Sequence, residues 1–93
     1  MDLFKKTAII SGASSGLGRA SAEYLAKLGV NLALFDLDED AGNDLANQLG
    51  TTRAQFYKVD VRMEDAVGDA IEKVVKNFDS IHLCLNCAGI APA

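Results

Sequence analysis

The feature that most constrains this chain is a change of apolar period, repeated along its length. Residues 7–11 (TAIIS) form a short run rich in β-branched side chains. After a glycine-rich stretch, Leu17, Ala20, Ser21, Tyr24, Leu25 and Leu28 recur at helical spacing until Gly29 stops the pattern. Residues 31–36 (NLALFD) are almost continuously apolar, as in a strand buried on both faces of a parallel sheet. Asp38 or Glu39 opens a second helical pattern carried by Ala41, Leu45 and Leu49, with Gly50 as its terminator. A third strand is predicted over 54–60 (AQFYKVD), and a third helix along Val67, Ala70, Ile71, Val74 and Phe78. A fourth strand is predicted over 80–86 (SIHLCLN). The order is β-α-β-α-β-α-β, without an internal repeat or linker. Such alternation predicts an α/β fold in which right-handed crossovers build a parallel sheet covered by helices on both faces.

Composition narrows the function classes. With 49% hydrophobic and 24% charged residues, the 93-residue chain fits one small globular unit and excludes a disordered or low-complexity segment. Its net charge is −4 and no Lys/Arg cluster occurs, which excludes a nucleic-acid surface or an anionic-membrane surface. No apolar run approaches the ~20 residues that span a bilayer, and no cleavable leader is evident, so a cytoplasmic setting is expected. Cys84 and Cys87 make a C-x-x-C, but within a β-like run residues three apart face opposite ways, and no helix start lowers a thiol pKa. Two cysteines and His82 also fall short of a zinc site, so no metal is predicted and both thiols are expected to be reduced and buried.

In a sheet of this kind, ligands bind beyond the carboxyl ends of the strands. Residues 11–18 (SGASSGLG) follow the first strand, with Gly12, Gly16 and Gly18 spaced Gly-x3-Gly-x-Gly. Set between a strand and a helix, this spacing turns backbone N–H groups and the helix dipole toward one pocket suited to pyrophosphate. A P-loop is excluded, because Leu17, Gly18 and Arg19 stand where it needs Gly-Lys-Ser/Thr. Ser14 and Ser15 either donate to phosphate or cap the helix, and the phosphate role is favoured for Ser15. Asp36 closes the second strand 18 residues after Gly18, where a carboxylate accepts hydrogen bonds from the adenosine ribose. It also repels a 2′-phosphate, and its neighbours Ala13, Ser14 and Leu37 supply no cation, which selects NAD over NADP. Asp60 and Val61 end the third strand. Asp60 is read as an adenine contact, as the N-cap of the third helix, or as both, with Val61 against the ring. Asn86 ends the fourth strand and is able to bridge strands through its amide. The small Ala88 and Gly89 leave room for a ligand. Valine at Gly12 or Gly16 is expected to harm dinucleotide binding more than folding.

These residues, in order, closely resemble the short-chain dehydrogenase/reductase family over almost the whole chain. Ser11 replaces the Thr that begins the family's glycine motif, and Cys87 replaces the second Asn of its Asn-Asn-Ala-Gly motif at 86–89. The resemblance implies a Rossmann-type sheet, of which this chain is half of a doubly wound fold. It also implies an NAD cofactor whose pyrophosphate lies on the backbone near Ser15 and Leu17, and a main-chain nucleoside contact at Cys87. A homo-oligomer, tetramer or dimer, is implied as well. "LNCAGIA" and "FDLDEDAG" look most like the branch of type-2 3-hydroxyacyl-CoA dehydrogenases, which points to a secondary alcohol or ketone, a 3-hydroxyacyl-CoA or a steroid, as the small-molecule substrate. The mitochondrial matrix is the alternative location for that branch. The family's catalytic Ser and Tyr-x-x-x-Lys lie after the fourth strand. Tyr24 is followed at that spacing by Leu28 and Tyr57 by Val61, so no catalytic residue is assigned within 1–93. The expectation is therefore the cofactor-binding half of an oxidoreductase, with a non-catalytic nucleotide-binding module as the alternative. A methyltransferase is disfavoured by the glycine spacing and by NCAG.

Overall fold

A computed structural model describes residues 2–87. The elements are β1 (Thr7–Ser11), α1 (Gly16–Lys27), β2 (Asn31–Asp36), α2 (Glu39–Leu49), β3 (Ala54–Lys58), α3 (Glu64–Phe78) and β4 (Leu83–Asn86). All pairings are parallel and the sheet order is β3-β2-β1-β4. The chain therefore grows outward from β1 through β3, then crosses back to place β4 on the other side of β1. That reversal of strand order opens a crevice at the carboxyl ends of β1 and β4.

The continuous apolar runs have a direct cause. Ala8, Ile10, Leu32 and Leu34 turn to one face and pack with Ala22 and Leu25 of α1 and with Leu45 and Ala46 of α2. Ile9, Ala33 and Phe35 turn to the other face, under Ala70 and Val74 of α3. With alternate residues of β1 and β2 buried on opposite faces, neither strand has a polar side to show. α2 sits close to β3: a Cβ on Gly42 would run into the Phe56 ring. Gly42→Val is expected to cost about 1–3 kcal/mol of stability through overpacking. A urea unfolding midpoint equal to the unaltered chain would contradict that contact.

Three local expectations are corrected. The sheet-facing stripe of α1 is Gly18, Ala22 and Leu25, whereas Leu17 and Tyr24 are 53% and 65% exposed. Bulky residues marked the helical period, but close approach to the sheet selected small ones. β3 ends at Lys58 rather than at residue 60, with the Val59 amide donating to the Asp36 carbonyl at 3.1 Å. β4 begins at Leu83, not at residue 80, because Asp79 takes a left-handed φ of 74° and His82 joins the first strand differently. The His82 amide donates to the Thr7 carbonyl at 2.8 Å, and its Nδ1 accepts the Thr7 amide at 3.0 Å. His82→Ala should leave that amide to water and cost about 1 kcal/mol in a denaturant titration; an unchanged midpoint would count against the role.

The cysteines also divide. Cys87 is buried, but Cys84 is exposed. Cys84 is in register with Ile9 on the α3 side of the sheet, and the α3 cluster covers β1 and β2 rather than this edge strand. Among the described residues no helix is long and apolar enough to cross a membrane, and no three His, Cys, Asp or Glu side chains converge to hold a metal.

Candidate nucleotide-binding site

Parallel register brings the strand ends into one row. Ser11 lies opposite Phe35 on β2 and Asn86 on β4, and Asp36 lies opposite Lys58 on β3. The glycine-rich turn starts from that row. Gly12 has φ 70°, a backbone state in which a side chain is strained. Its amide and that of Ala13 donate to the Phe35 carbonyl at 2.9 and 3.2 Å, so the chain folds back over β2 before α1 begins.

Ser15 is the N-cap of α1. Its Oγ accepts the Gly18 amide at 3.2 Å and donates to the Gly12 carbonyl at 2.6 Å. The hydroxyl is thus engaged in holding the turn, the capping alternative of the sequence reading. The amides of Gly16 and Leu17 donate to no acceptor among the described residues. They head a 12-residue helix, whose dipole adds partial positive charge there. A Cβ on Gly16 would meet nothing within 4 Å, whereas one on Gly18 would run into the Gly12 carbonyl.

Asp36 does more than its place in the sequence indicated. Its Oδ2 accepts the Ser14 amide and its Oδ1 the Asp38 amide, each at 3.0 Å, which ties the glycine turn to the end of β2. Partial burial pushes the carboxyl pKa up. Hydrogen bonds from the Asp38 amide, the Ser14 hydroxyl and amide, and the Leu37 amide outweigh it and hold the group below its ordinary 3.8. A depressed carboxyl pKa stabilises the folded chain fully above the ordinary value and loses that contribution as pH falls through the lower one. The turn is therefore expected to stay locked at pH 5 and to loosen below 3.8. Amide exchange of Ser14 measured across that range checks it; protection lost already at pH 5 would contradict the tie. α2 is capped independently, by Asp38 accepting the Ala41 amide at 3.1 Å.

Gly12, Asp36, Leu37, Asp60, Val61 and Arg62 surround a pocket of about 350 Å³, with Phe35 and Val59 beneath. Asp60 does not cap α3: the N-cap is Met63, with no side-chain bond. Its carboxylate instead meets Arg62, whose Nε donates to Oδ1 at 3.0 Å and whose Nη2 donates to Oδ2 at 2.8 Å. Those bonds hold the Asp60 carboxyl at about 2. Arg62 is the site residue that sequence reasoning missed, although Asp-x-Arg just beyond a strand end was there to be seen. It adds a guanidinium to the pocket, already paired.

On the other side of the turn, Asn86 bridges β4 to β1 as expected, its Oδ1 accepting the Ser11 hydroxyl at 2.8 Å. The Cys87 amide donates to the Ser11 carbonyl at 2.9 Å. The structure thus gathers Gly12, Asp36, Asp60 and Val61 in one pocket. Ser14, Ser15, Gly16, Leu17 and Gly18 form the turn and helix start, and Asn86 and Cys87 the strand end opposite. Ala88 and Gly89 lie outside the described residues.

Comparison with known proteins agrees with this geometry. The chain is 42% identical over 85 residues to 3-hydroxyacyl-CoA dehydrogenase type-2 of Drosophila melanogaster, covering 91% of this chain and 33% of that protein. A crystal structure of a short-chain dehydrogenase/reductase, glucose/ribitol dehydrogenase, from Brucella melitensis superposes with a TM-score of 0.92 at 31% identity, covering all of this chain and 40% of that one. A short-chain dehydrogenase/reductase from Burkholderia phymatum, solved in complex with NAD, superposes with a TM-score of 0.86 at 32% identity over 90% of this chain and 31% of that one. The chain spans about a third of the length of the curated relative it matches. The family model described as short chain dehydrogenase matches residues 6–93. Strand order, glycine turn and family match agree, and the chain belongs to the short-chain dehydrogenase/reductase family of oxidoreductases.

Proposed function

We propose that this chain is the NAD-binding half of a dehydrogenase that oxidises a secondary alcohol or reduces a ketone, with a 3-hydroxyacyl-CoA as the substrate. The observation that carries the cofactor reading is the pair of amides at Gly16 and Leu17 that have no acceptor among the described residues, next to open space where a Cβ would stand. That arrangement fits a diphosphate, which needs donors and close backbone approach. The Asp36 carboxylate stands at the wall of the pocket, where it would accept from a ribose diol, and sets negative charge against a 2′-phosphate. Asp60 and Val61 would hold the adenine, and Asn86 and the Cys87 backbone would border the nicotinamide half. When bound, the nicotinamide ring supplies the hydride acceptor or donor. This chain's own residues bind and orient it. Proton transfer is assigned to no residue of 1–93.

The likeness to 3-hydroxyacyl-CoA dehydrogenase type-2 of Drosophila melanogaster supports the substrate. Titration of the chain with NAD and NADP, together with an assay of NAD reduction by the whole dehydrogenase of which it is the proposed half, using 3-hydroxybutyryl-CoA and a hydroxysteroid, tests the proposal. Preferential NAD binding with turnover of the acyl-CoA is the expected result. Turnover of the steroid alone would overturn the substrate reading. NAD binding without turnover of either would favour a non-catalytic nucleotide-binding module.

A further inference from the structure

The Asp60–Arg62 pair is built from residues two apart on the connection between β3 and α3, and it uses the carboxylate unevenly. Oδ1 accepts two hydrogen bonds, from the Arg62 amide and from Nε, both at 3.0 Å. Oδ2 accepts one, from Nη2 at 2.8 Å. A carboxylate oxygen has two acceptor positions, so Oδ1 is full and Oδ2 keeps one open. The Arg62 side chain is 81% exposed, and exposed ion pairs add little to stability. A complete fork with so little value for folding, at the wall of the candidate adenosine pocket, calls for a role in that pocket.

We propose that Arg62 is a positioning residue for base recognition: its guanidinium and amide fill Oδ1 and fix the carboxylate plane, leaving the open position of Oδ2 as the acceptor for the exocyclic amino group of adenine. The proposal rests on the adenosine reading given above and assigns its selectivity. An oriented acceptor favours a base that carries an amino group. A base with a carbonyl at that position sets acceptor against acceptor and leaves Oδ2 unpaired. Without the guanidinium, only the residue-62 amide still holds Oδ1, so the carboxylate plane is free to turn about that one bond and Oδ2 is offered to water as readily as to the base.

Dissociation constants for NAD and for nicotinamide hypoxanthine dinucleotide, which carries a carbonyl in place of the amino group, test this on the unaltered protein and on Arg62→Ala, Arg62→Lys and Asp60→Asn. The unaltered protein is expected to prefer NAD by about tenfold. Arg62→Ala should reduce that preference at least about threefold, with hypoxanthine dinucleotide affinity and urea midpoint nearly unchanged. Arg62→Lys should restore it only in part, since an ammonium cannot make the fork. Full preference retained in Arg62→Ala would overturn the proposal, as would equal loss for both dinucleotides, which would make Arg62 a general anion contact. If Asp60→Asn keeps the preference of the unaltered protein, the placement of adenine itself is wrong. If Asp60→Asn abolishes the preference and Arg62→Ala does not, only the positioning role fails.

Discussion

Gly18→Val should unfold the chain or leave it with a badly lowered melting temperature, whereas Gly16→Ala should fold as well as the unaltered protein and bind NAD poorly. The contrast follows from what each position faces. A Cβ at Gly18 meets the carbonyl oxygen of Gly12, with the carbonyl carbon at 2.8 Å and the Ala13 Cα at 2.9 Å. All three are backbone atoms of the turn, so no rotamer change relieves them. The cost should lie at or above the upper end of the ~1–3 kcal/mol typical of overpacking, a large part of a small domain's stability. A Cβ at Gly16 meets no protein atom, and alanine there removes conformational freedom from the unfolded chain, which is neutral or favourable to folding. Gly12 stands between the two: at φ 70°, Gly12→Val strains the backbone whatever the ligand does. The sequence expectation was that valine at Gly12 or Gly16 harms dinucleotide binding more than folding. The open space at Gly16 is compatible with that, whereas the positive φ at Gly12 adds a folding cost that the sequence reading did not include. Circular dichroism melts of the variants beside an NAD titration separate the effects. A Gly18→Val chain that melts normally would contradict the packing described.

Asp36→Ala is expected to weaken NAD binding at least about tenfold and to narrow or erase the preference over NADP. A carboxylate that accepts both ribose hydroxyls makes charge-assisted bonds, each on the order of 1.5–3 kcal/mol. The variant also frees the Ser14 amide and unties the turn, so part of the loss reflects a disordered pyrophosphate site. Asp36→Asn distinguishes the two, because it keeps an oxygen for one amide but removes the charge that opposes a 2′-phosphate. NADP affinity should therefore rise in Asp36→Asn more than in Asp36→Ala. Equal NAD and NADP affinities in the unaltered protein would remove the basis of both expectations.

Element order and the row of strand ends were legible because they depend on local periodicity and turn residues. Gly29, Gly50 and Asp38 punctuate the chain where the structure ends or begins a helix. What could not be read depended on distance between segments. The buried stripe of α1 is set by how near Gly12 lies to Gly18, so the large residues at helical spacing, Leu17 and Tyr24, were given the wrong face. The late start of β4 follows from a side chain, His82, standing in for a ladder bond 75 residues away. Within the site, Asp36 and Asp60 were recognised as acids at strand ends. Their partners were not, since the Ser14 amide is 22 residues from Asp36, and Arg62 was not singled out from the local pattern.

Amide NMR during an NAD titration tests the central claim most directly. If the head of α1 receives the pyrophosphate and the adjoining pocket the adenosine, the Gly16 and Leu17 amide resonances should move most. Those of Asp36, Val61 and Arg62 should follow, while Ala46 and Leu49 at the far end of α2 stay in place. Saturation without movement of the Gly16 and Leu17 amides, or the largest changes at the exposed face of α3, would contradict the account.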